Sequence, residues 1–226
     1  WCCNPESQRA DIEEMTVNGA KKVIGRDVTV EEVMETVLKD RDYYRRSGGG
    51  GLTLSGGESL AQPAFARDLL RAAKEAGITT AMESTACVDY SVIEGILPWL
   101  DQYLLDIKHV DSGKHREFTG VPNERILENA RRISASGLTE LSVRVPVIPT
   151  FNDTPEEIRA IARFAGSLPA VARIHLLPYH RLGLDKYEGL GRAYSLPDIA
   201  PPGADQMDRL RAAVESCCSV PCVIGG

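Results

Sequence analysis

The feature that most constrains the fold is a regular alternation between short β-rich runs and longer segments with helical periodicity. Each β-rich run is only three to seven residues long, which is too short for a stable helix of its own. Strands that alternate with helices through short connections predict parallel strands joined by right-handed crossovers. The fold class is therefore α/β, with strands predicted at residues 52–54, 78–82, 103–106, 141–147, 173–176 and 222–224.

Helical segments are predicted between these strands, and several have recognisable ends. Thr29 and Glu32 have the spacing of a capping box, which satisfies backbone amides in the first turn of a helix. Gly77 and Gly137 follow two helical segments, where a left-handed C-cap favours glycine. One helix is predicted to begin at Thr29, and the others are predicted at residues 63–76, 90–100, 123–136, 154–165 and 204–217.

About five βα units are visible, and they predict one domain over residues 1–226. Six units form an open or partial barrel rather than the closed eight-unit barrel, and in either form ligands bind at the carboxyl ends of the strands. The chain begins at Trp1 in a tight loop, so we expect the first strand of the barrel to lie upstream. Residues 9–27 have no strong pattern and are predicted to be a short linker.

Composition argues against several classes of function. The net charge is −6, and no basic stripe indicates a nucleic-acid partner. No apolar run approaches the roughly 18–20 residues that a membrane helix needs, so we expect no membrane association. The six cysteines do not have the spacing of a disulfide scaffold, and we therefore expect a protein of the reducing cytoplasm.

A glycine-rich entry, a strand and the sequence Ser55-Gly56-Gly57-Glu58 precede the second predicted helix. Glycines after a strand allow backbone amides and carbonyls to approach a ligand closely, and a carboxylate there can bind an ammonium group. Phosphate binding is disfavoured because no lysine follows as it does in a P-loop. Taken alone, the motif is equally compatible with a tight turn between a strand and a helix.

Trp1 and Cys2, followed by Asn-Pro-Glu-Ser, resemble the end of the C-x-x-x-C-x-aromatic-C motif of radical S-adenosylmethionine (SAM) enzymes. In that family three thiolates bind a 4Fe–4S cluster, and the fourth iron is open to SAM. The resemblance implies that Cys2 is the third cluster ligand and that Trp1 lies near the adenine. It also implies further cysteines three and seven residues before Cys2. Taken alone, the pair is also compatible with ordinary cysteines at a chain end.

Further motifs at successive strand ends extend the resemblance over nearly the whole chain, to the activating enzymes of glycyl-radical enzymes. This is the pyruvate formate-lyase activating enzyme-like family, and it implies a partial (β/α)6 barrel. The sequence departs from the family at Ala86, where a glycine is frequent, and at residues 9–27, where relatives often carry a ferredoxin-like insert. The motifs are Ser55-Gly56-Gly57-Glu58, Glu83-Ser84-Thr85, Asp106-Ile107-Lys108, Val143-Arg144-Val145-Pro146 and Leu176-Leu177-Pro178-Tyr179-His180.

The resemblance assigns roles at the methionine end of SAM. Gly56, Gly57 and Glu58 are implied to hold the amino group. A monovalent cation, Na⁺ or K⁺, is implied beside the SAM carboxylate, and oxygen ligands suit such a hard ion. Its implied ligands are Glu83, Ser84 and Asp106.

Three further side chains are implied to act around the SAM molecule and the reacting centre. Lys108 offsets the local negative charge and binds the carboxylate. Arg144 reaches the SAM pocket from the fifth strand of the barrel. His180 lies near the ribose and the site of hydrogen abstraction, so Lys108 and His180 are the predicted catalytic residues.

The resemblance also implies the chemistry and the partners. The reduced cluster cleaves SAM to a 5′-deoxyadenosyl radical, which takes hydrogen from a glycine of a partner glycyl-radical enzyme, and a flavodoxin or ferredoxin-type protein supplies the electron. Two alternatives stay open from the sequence. One is a radical SAM enzyme that acts on a small molecule, and the other is a cluster-free barrel without catalytic function.

Overall fold

The computed structural model describes residues 1–9, 11–48 and 50–225. Within this part of the chain, six parallel strands form the main sheet, and neighbours in the sheet follow chain order from β3 to β8. The predicted α/β class is therefore confirmed. The strands are β1 Glu13–Val17, β2 Ala20–Ile24, β3 Gly51–Leu54, β4 Thr79–Ser84, β5 Gln102–Asp106, β6 Glu140–Val147, β7 Val171–Pro178 and β8 Cys222–Ile224.

The helices follow the predicted pattern, with additions. The predicted capping box forms at Thr29 with Glu32, a second one is found at Thr154 with Glu157, and Gly77 and Gly137 are left-handed. Three short helices, at residues 41–46, 112–119 and 184–189, were not predicted. The helices are α1 Val30–Val37, α2 Arg41–Arg46, α3 Pro63–Glu75, α4 Tyr90–Glu94, α5 Ser112–Thr119, α6 Glu124–Ser136, α7 Pro155–Gly166, α8 Leu184–Gly189 and α9 Ala204–Glu215.

The two faces of the main sheet differ in chemistry because successive side chains of a strand point to opposite faces. One face is covered by the helices and is almost entirely apolar. Met82, Leu105 and Val143 from this face pack with Leu70, Ile133 and Ile158 of the helices, and all six residues are buried in the main core. This helix-covered face supplies the hydrophobic stabilisation of the fold.

The opposite face, called here the open face, is polar and only partly buried. Register places Asp106 beside Arg144 and Arg144 beside His175 on neighbouring strands. Parallel sheets are usually apolar on both faces, so charged side chains in this position indicate a ligand site. The open face comprises Thr53, Ala81, Glu83, Gln102, Leu104, Asp106, Ser142, Arg144, Pro146, Arg173, His175 and Leu177.

The prediction of a linker at residues 9–27 is wrong for most of that segment. β1 and β2 form an antiparallel hairpin there, with Glu13 opposite Ile24. Asn18 and Gly19 at its tip both have positive φ, as a two-residue hairpin turn requires. The hairpin packs on α8, where a Cβ on Gly189 would lie 2.4 Å from the carbonyl oxygen of Thr16. Only a glycine therefore permits this contact.

No helix in the described ranges combines the length and the apolar character needed to cross a membrane.

Candidate functional site

The turn after β3 brings two glycines to the carboxyl edge of the sheet. Gly56 has φ of +109°, a conformation that side chains rarely allow, and a Cβ at this position would meet open space. Gly57 is restricted for a different reason: its Cβ would lie 2.6 Å from the carbonyl oxygen of Ser7. The glycine turn is thus in direct backbone contact with the loop at the start of the chain.

Glu58 ties this turn to the end of β4. One carboxylate oxygen, Oε1, accepts from the hydroxyl of Ser84 at 2.6 Å and from the backbone amide of Leu60 at 3.0 Å. The other oxygen accepts from the amide and the hydroxyl of Thr85, at 3.0 and 2.7 Å. A carboxylate has about four lone-pair sites, so all are occupied by protein donors. The side chain of Glu58 therefore fixes the geometry of the glycine turn.

An ion pair crosses the open face between β4 and β6. The guanidinium of Arg144 contacts the carboxylate of Glu83, which also accepts from the hydroxyl of Ser55 at 2.6 Å. The side chain of Arg144 is 19% exposed and that of Glu83 is 33% exposed, so the pair is only partly screened by solvent. Arg144 thus lies on the open face, paired with Glu83, and its role toward SAM stays a prediction.

A second ion pair lies at the end of β5, between those two strands, where Lys108 Nζ is 3.0 Å from Asp106 Oδ2. The buried side chain of Asn152 holds the backbone here by donating to the carbonyl oxygens of Lys108 and Pro146, at 2.7 and 2.8 Å. Asn152 also accepts from the amide of Ile148 at 2.8 Å. One amide side chain therefore fixes the ends of β5 and β6 relative to each other.

The three residues predicted to ligate a monovalent cation do not point to one place in this structure. Glu83 and Ser84 are neighbours on β4, so their side chains lie on opposite faces of the sheet. Each also has its own partner: Arg144 for Glu83, Glu58 for Ser84 and Lys108 for Asp106. The cation remains a prediction. Its binding would require these side chains to leave their present partners and turn to the ion.

Cys2 lies at the wall between two cavities. The larger has a volume of about 1160 Å³ and is bordered by Cys2 together with Gly56, Gly57 and Glu58. The smaller, of about 460 Å³, is bordered by Cys2, Trp1 and Lys108. The Cys2 sulfur is half-buried and accepts a hydrogen bond from the backbone amide of Asn4 at 3.4 Å.

Trp1 and His180 border this region in different ways. The Trp1 ring stacks on Phe151, with ring centroids 5.2 Å apart, and also contacts Phe118. It is therefore anchored in an aromatic cluster while one side faces the smaller cavity. His180 is exposed just beyond β7, and its Nδ1 accepts from the amide of Leu182 at 3.4 Å. Both residues lie at the carboxyl edge of the sheet, and their predicted positions near the adenine and the ribose stay predictions.

Sequence reasoning missed the residues that hold the loop containing Cys2. Lys186 on α8 donates to Asn4 Oδ1 at 2.7 Å and to Glu6 Oε1 at 2.6 Å. Arg192 contacts the carbonyl oxygen of Pro5 and lies 2.5 Å from Glu13 Oε1. These partners are 179 to 187 positions apart in the sequence, so no local pattern could have revealed their contacts.

Gly183 and Tyr187 complete the contact between α8 and the loop. A Cβ on Gly183 would lie 2.9 Å from the Cα of Cys3, so the two backbones touch. Tyr187 borders the smaller cavity, and burial raises the pKa of its phenol. It is therefore a neutral hydrogen-bonding group at neutral pH. The sequence signal for both is the pairs Leu182-Gly183 and Lys186-Tyr187, which also fit the resembled family.

The fold and this edge of the sheet agree with comparisons to known proteins. The profile of the Radical SAM superfamily matches residues 1–165. The chain belongs to the radical SAM superfamily.

Relatives define the group within the superfamily. The pyruvate formate-lyase-activating enzyme of Clostridium pasteurianum is 38% identical over 82% of this chain and 77% of its own length. The isethionate sulfite-lyase activating enzyme of Oleidesulfovibrio alaskensis is 48% identical over 77% of this chain, but the match covers only 56% of that relative. The predicted membership among the activating enzymes of glycyl-radical enzymes is confirmed.

A solved structure supports the same fold. A domain of the pyruvate-formate lyase-activating enzyme from Bacteroides vulgatus aligns over 79% of this chain and 100% of its own, with a TM-score of 0.66 and 29% identity. The parallel six-stranded sheet is thus the partial barrel of this group. The chain spans less than two thirds of the length of several curated relatives.

Proposed function

We propose that the protein activates a glycyl-radical enzyme by reductive cleavage of SAM. The observation that carries the proposal is the position of Cys2, which borders the same cavity as the glycine turn of Gly56 and Gly57. A cluster ligand and a SAM-binding turn have to meet across one cavity for this chemistry. The names of the relatives support the same function.

The surroundings of Cys2 fit a thiolate that ligates iron. The backbone amide of Asn4 donates to its sulfur, and hydrogen bonds to ligating sulfurs influence the potential of an iron–sulfur cluster. Cys3 is not placed in the same way, because its backbone lies against Gly183. We infer that Cys2 is one ligand of a 4Fe–4S cluster and that the cysteines expected three and seven residues before it are the others.

When bound, a 4Fe–4S cluster would supply the electron for reductive cleavage of SAM to methionine and a 5′-deoxyadenosyl radical, and hydrogen would pass to that radical from a glycine of the partner. The residues of this chain bind and orient the reactants. Gly56 and Gly57 present backbone groups to the methionine amino group, while Glu58 holds their turn in place. Arg144 and Lys108 offer positive charge to the SAM carboxylate, and His180 borders the entrance for the partner.

Finer parts of the proposal concern the cation, the electron donor and the compartment. A Na⁺ or K⁺ ion beside the SAM carboxylate would take oxygens from Glu83 and Asp106 once Arg144 and Lys108 turn to the carboxylate. A higher SAM affinity in NaCl or KCl than in choline chloride would support this ion, and equal affinities would refute it. We further propose a flavodoxin or ferredoxin-type donor and a cytoplasmic location.

The decisive experiment measures radical transfer. The anaerobically reconstituted protein is reduced with dithionite and mixed with SAM and a panel of glycyl-radical enzymes. We expect equal amounts of 5′-deoxyadenosine and of a glycyl-radical doublet in the EPR spectrum for one of them. Formation of 5′-deoxyadenosine without a protein radical in any partner would instead favour a small-molecule substrate. Absence of a cluster signal from protein that includes the cysteines expected before Cys2 would refute the proposal.

Adjacent cysteines provide a matched control for the ligand assignment. Cys2→Ala is expected to lose bound iron and the SAM-dependent change in the EPR spectrum. Cys3→Ala removes a thiol one residue away and is expected to keep both. The assignment is wrong if the two variants exchange these results.

A further inference from the structure

The loop at residues 2–7 is held on one side by α8 and by the residues that flank this short helix. α8 provides Lys186, and the chain just beyond it provides Arg192; both reach back to the loop. Gly183, just before α8, lies against the backbone of Cys3. This arrangement brings residues separated by about 180 positions into one contact, and it closes the loop around Cys2.

Lys186 occupies the centre of this contact. Its ammonium group lies between Asn4 Oδ1 at 2.7 Å and Glu6 Oε1 at 2.6 Å. The side chain of Glu6 is 17% exposed, and its other oxygen is buried without a hydrogen-bond partner. A buried carboxylate with one unsatisfied oxygen depends on its remaining partner. Lys186 therefore offsets the cost of burying the carboxylate of Glu6 and so stabilises the folded loop.

The contact continues from Lys186 to the sulfur of Cys2 through one residue. The side chain of Asn4 binds Lys186, and the backbone amide of Asn4 donates to Cys2 Sγ at 3.4 Å. Fixing the side chain of Asn4 fixes the direction of its amide. The reduction potential of an iron–sulfur cluster depends on hydrogen bonds to its sulfurs, on nearby charge and on solvent exposure.

We propose that Lys186 is a positioning residue that holds the amide of Asn4 on the Cys2 thiolate and thereby raises the reduction potential of the cluster. The inference rests on the proposed function, because it takes Cys2 as a cluster ligand. Lys186 touches neither the sulfur nor the cavity bordered by the glycine turn. Its effect passes through Asn4.

The first test is redox titration of the reconstituted holoenzyme followed by EPR. Lys186→Met is expected to shift the midpoint potential to more negative values, and Lys186→Arg, which keeps the charge and the donors, is expected to stay near the wild-type value. Lys22→Met removes one exposed lysine of β2 and serves as the control for net charge. An unchanged potential in Lys186→Met overturns the proposal.

A second variant separates position from charge. Asn4→Ala keeps the ammonium group of Lys186 and the backbone amide but removes the link between them. We expect it to lower the midpoint potential as Lys186→Met does. If Asn4→Ala keeps the wild-type potential while Lys186→Met does not, the effect is that of charge alone and the route through Asn4 is refuted.

The third readout needs no cluster. A charge-assisted hydrogen bond of this kind favours the closed loop by about tenfold. Alkylation of Cys2 in the cluster-free protein should therefore be about tenfold faster in Lys186→Met than in Lys22→Met. Equal alkylation rates in the two variants would show that Lys186 does not hold the loop and would overturn the proposal. If the two variants differ in this way but the wild-type protein takes up no cluster, the proposed function is refuted. The role of Lys186 in holding the loop would then still stand.

Discussion

The contact between the glycine turn and the loop of Cys2 predicts the result of replacing Gly57 with alanine. The added Cβ would lie 2.6 Å from the carbonyl oxygen of Ser7, whereas ordinary contacts begin at 3.4 Å, so the two backbones must separate by 0.8 Å. Overpacking of this kind costs about 1–3 kcal/mol. In a chain of this length, that corresponds to a decrease in Tm of about 2–12 °C.

The displacement should also reach Cys2. Ser7 binds the carbonyl oxygen of Asn4 through its amide at 3.0 Å and through its hydroxyl at 2.7 Å. A shift of Ser7 therefore moves Asn4 and the amide that donates to Cys2. We expect Gly57→Ala to retain less iron after reconstitution and to bind SAM more weakly than the wild type.

The assay is thermal unfolding by circular dichroism of the cluster-free protein, followed by iron analysis and SAM titration of the reconstituted protein. Gly95→Ala is the matched control, because its φ is −70° and its Cβ would have only ordinary contacts, the nearest at 3.6 Å. That variant should unfold at or above the wild-type Tm. Wild-type Tm and SAM affinity in Gly57→Ala would refute the reasoning.

Three further predictions concern residues outside the cavities. Asn129→Leu leaves two carbonyl oxygens of the loop after β4 without a donor, so we expect urea unfolding to show a loss of about 2–4 kcal/mol while SAM affinity is kept. Burial raises the pKa of Asp101, but hydrogen bonds, chiefly from Lys74, outweigh it and hold that pKa below 3.8. Because a lowered folded pKa gives stability that is lost on acidification, the difference in Tm between wild type and Asp101→Asn should be full at pH 7, begin to fall at about pH 4 and disappear only below the lowered folded pKa. Burial raises the pKa of Cys222 to about 11, so iodoacetamide at pH 8 should label it more slowly than a free cysteine peptide, and equal rates would contradict its burial.

Much of the main sheet was predictable from the sequence because its strands and helices carry strong local patterns. The strand predicted at residues 141–147 forms at Glu140–Val147, and the helix predicted at 63–76 forms at Pro63–Glu75. The hairpin of β1 and β2 was missed because only the Asn18-Gly19 turn marked it: Glu13–Val17 has one buried residue and Ala20–Ile24 has none. Without an apolar face there is no alternation of hydrophobicity to detect.

The site was predictable where a role depends on the local backbone and not where it depends on distant contacts. Gly56 could be singled out because a glycine after a strand permits its φ of +109°. Ala86 stands where the family often has glycine, and its φ is +57°. The backbone there keeps a left-handed conformation that is strained for a residue with a Cβ. The role of Lys186 depends on Asn4, which lies 182 positions away, and only the folded chain brings them together.

The chemical difference between the two faces of the main sheet has a consequence for how this protein can change over evolution. Stability resides in the helix-covered face, where Met82, Leu105 and Val143 are buried, whereas the open face contributes little hydrophobic burial. Substitutions of Glu83 or Arg144 are therefore expected to change the proposed ligand site while leaving the core intact. A lineage can try new specificities on one side of the sheet while the other side keeps the chain folded.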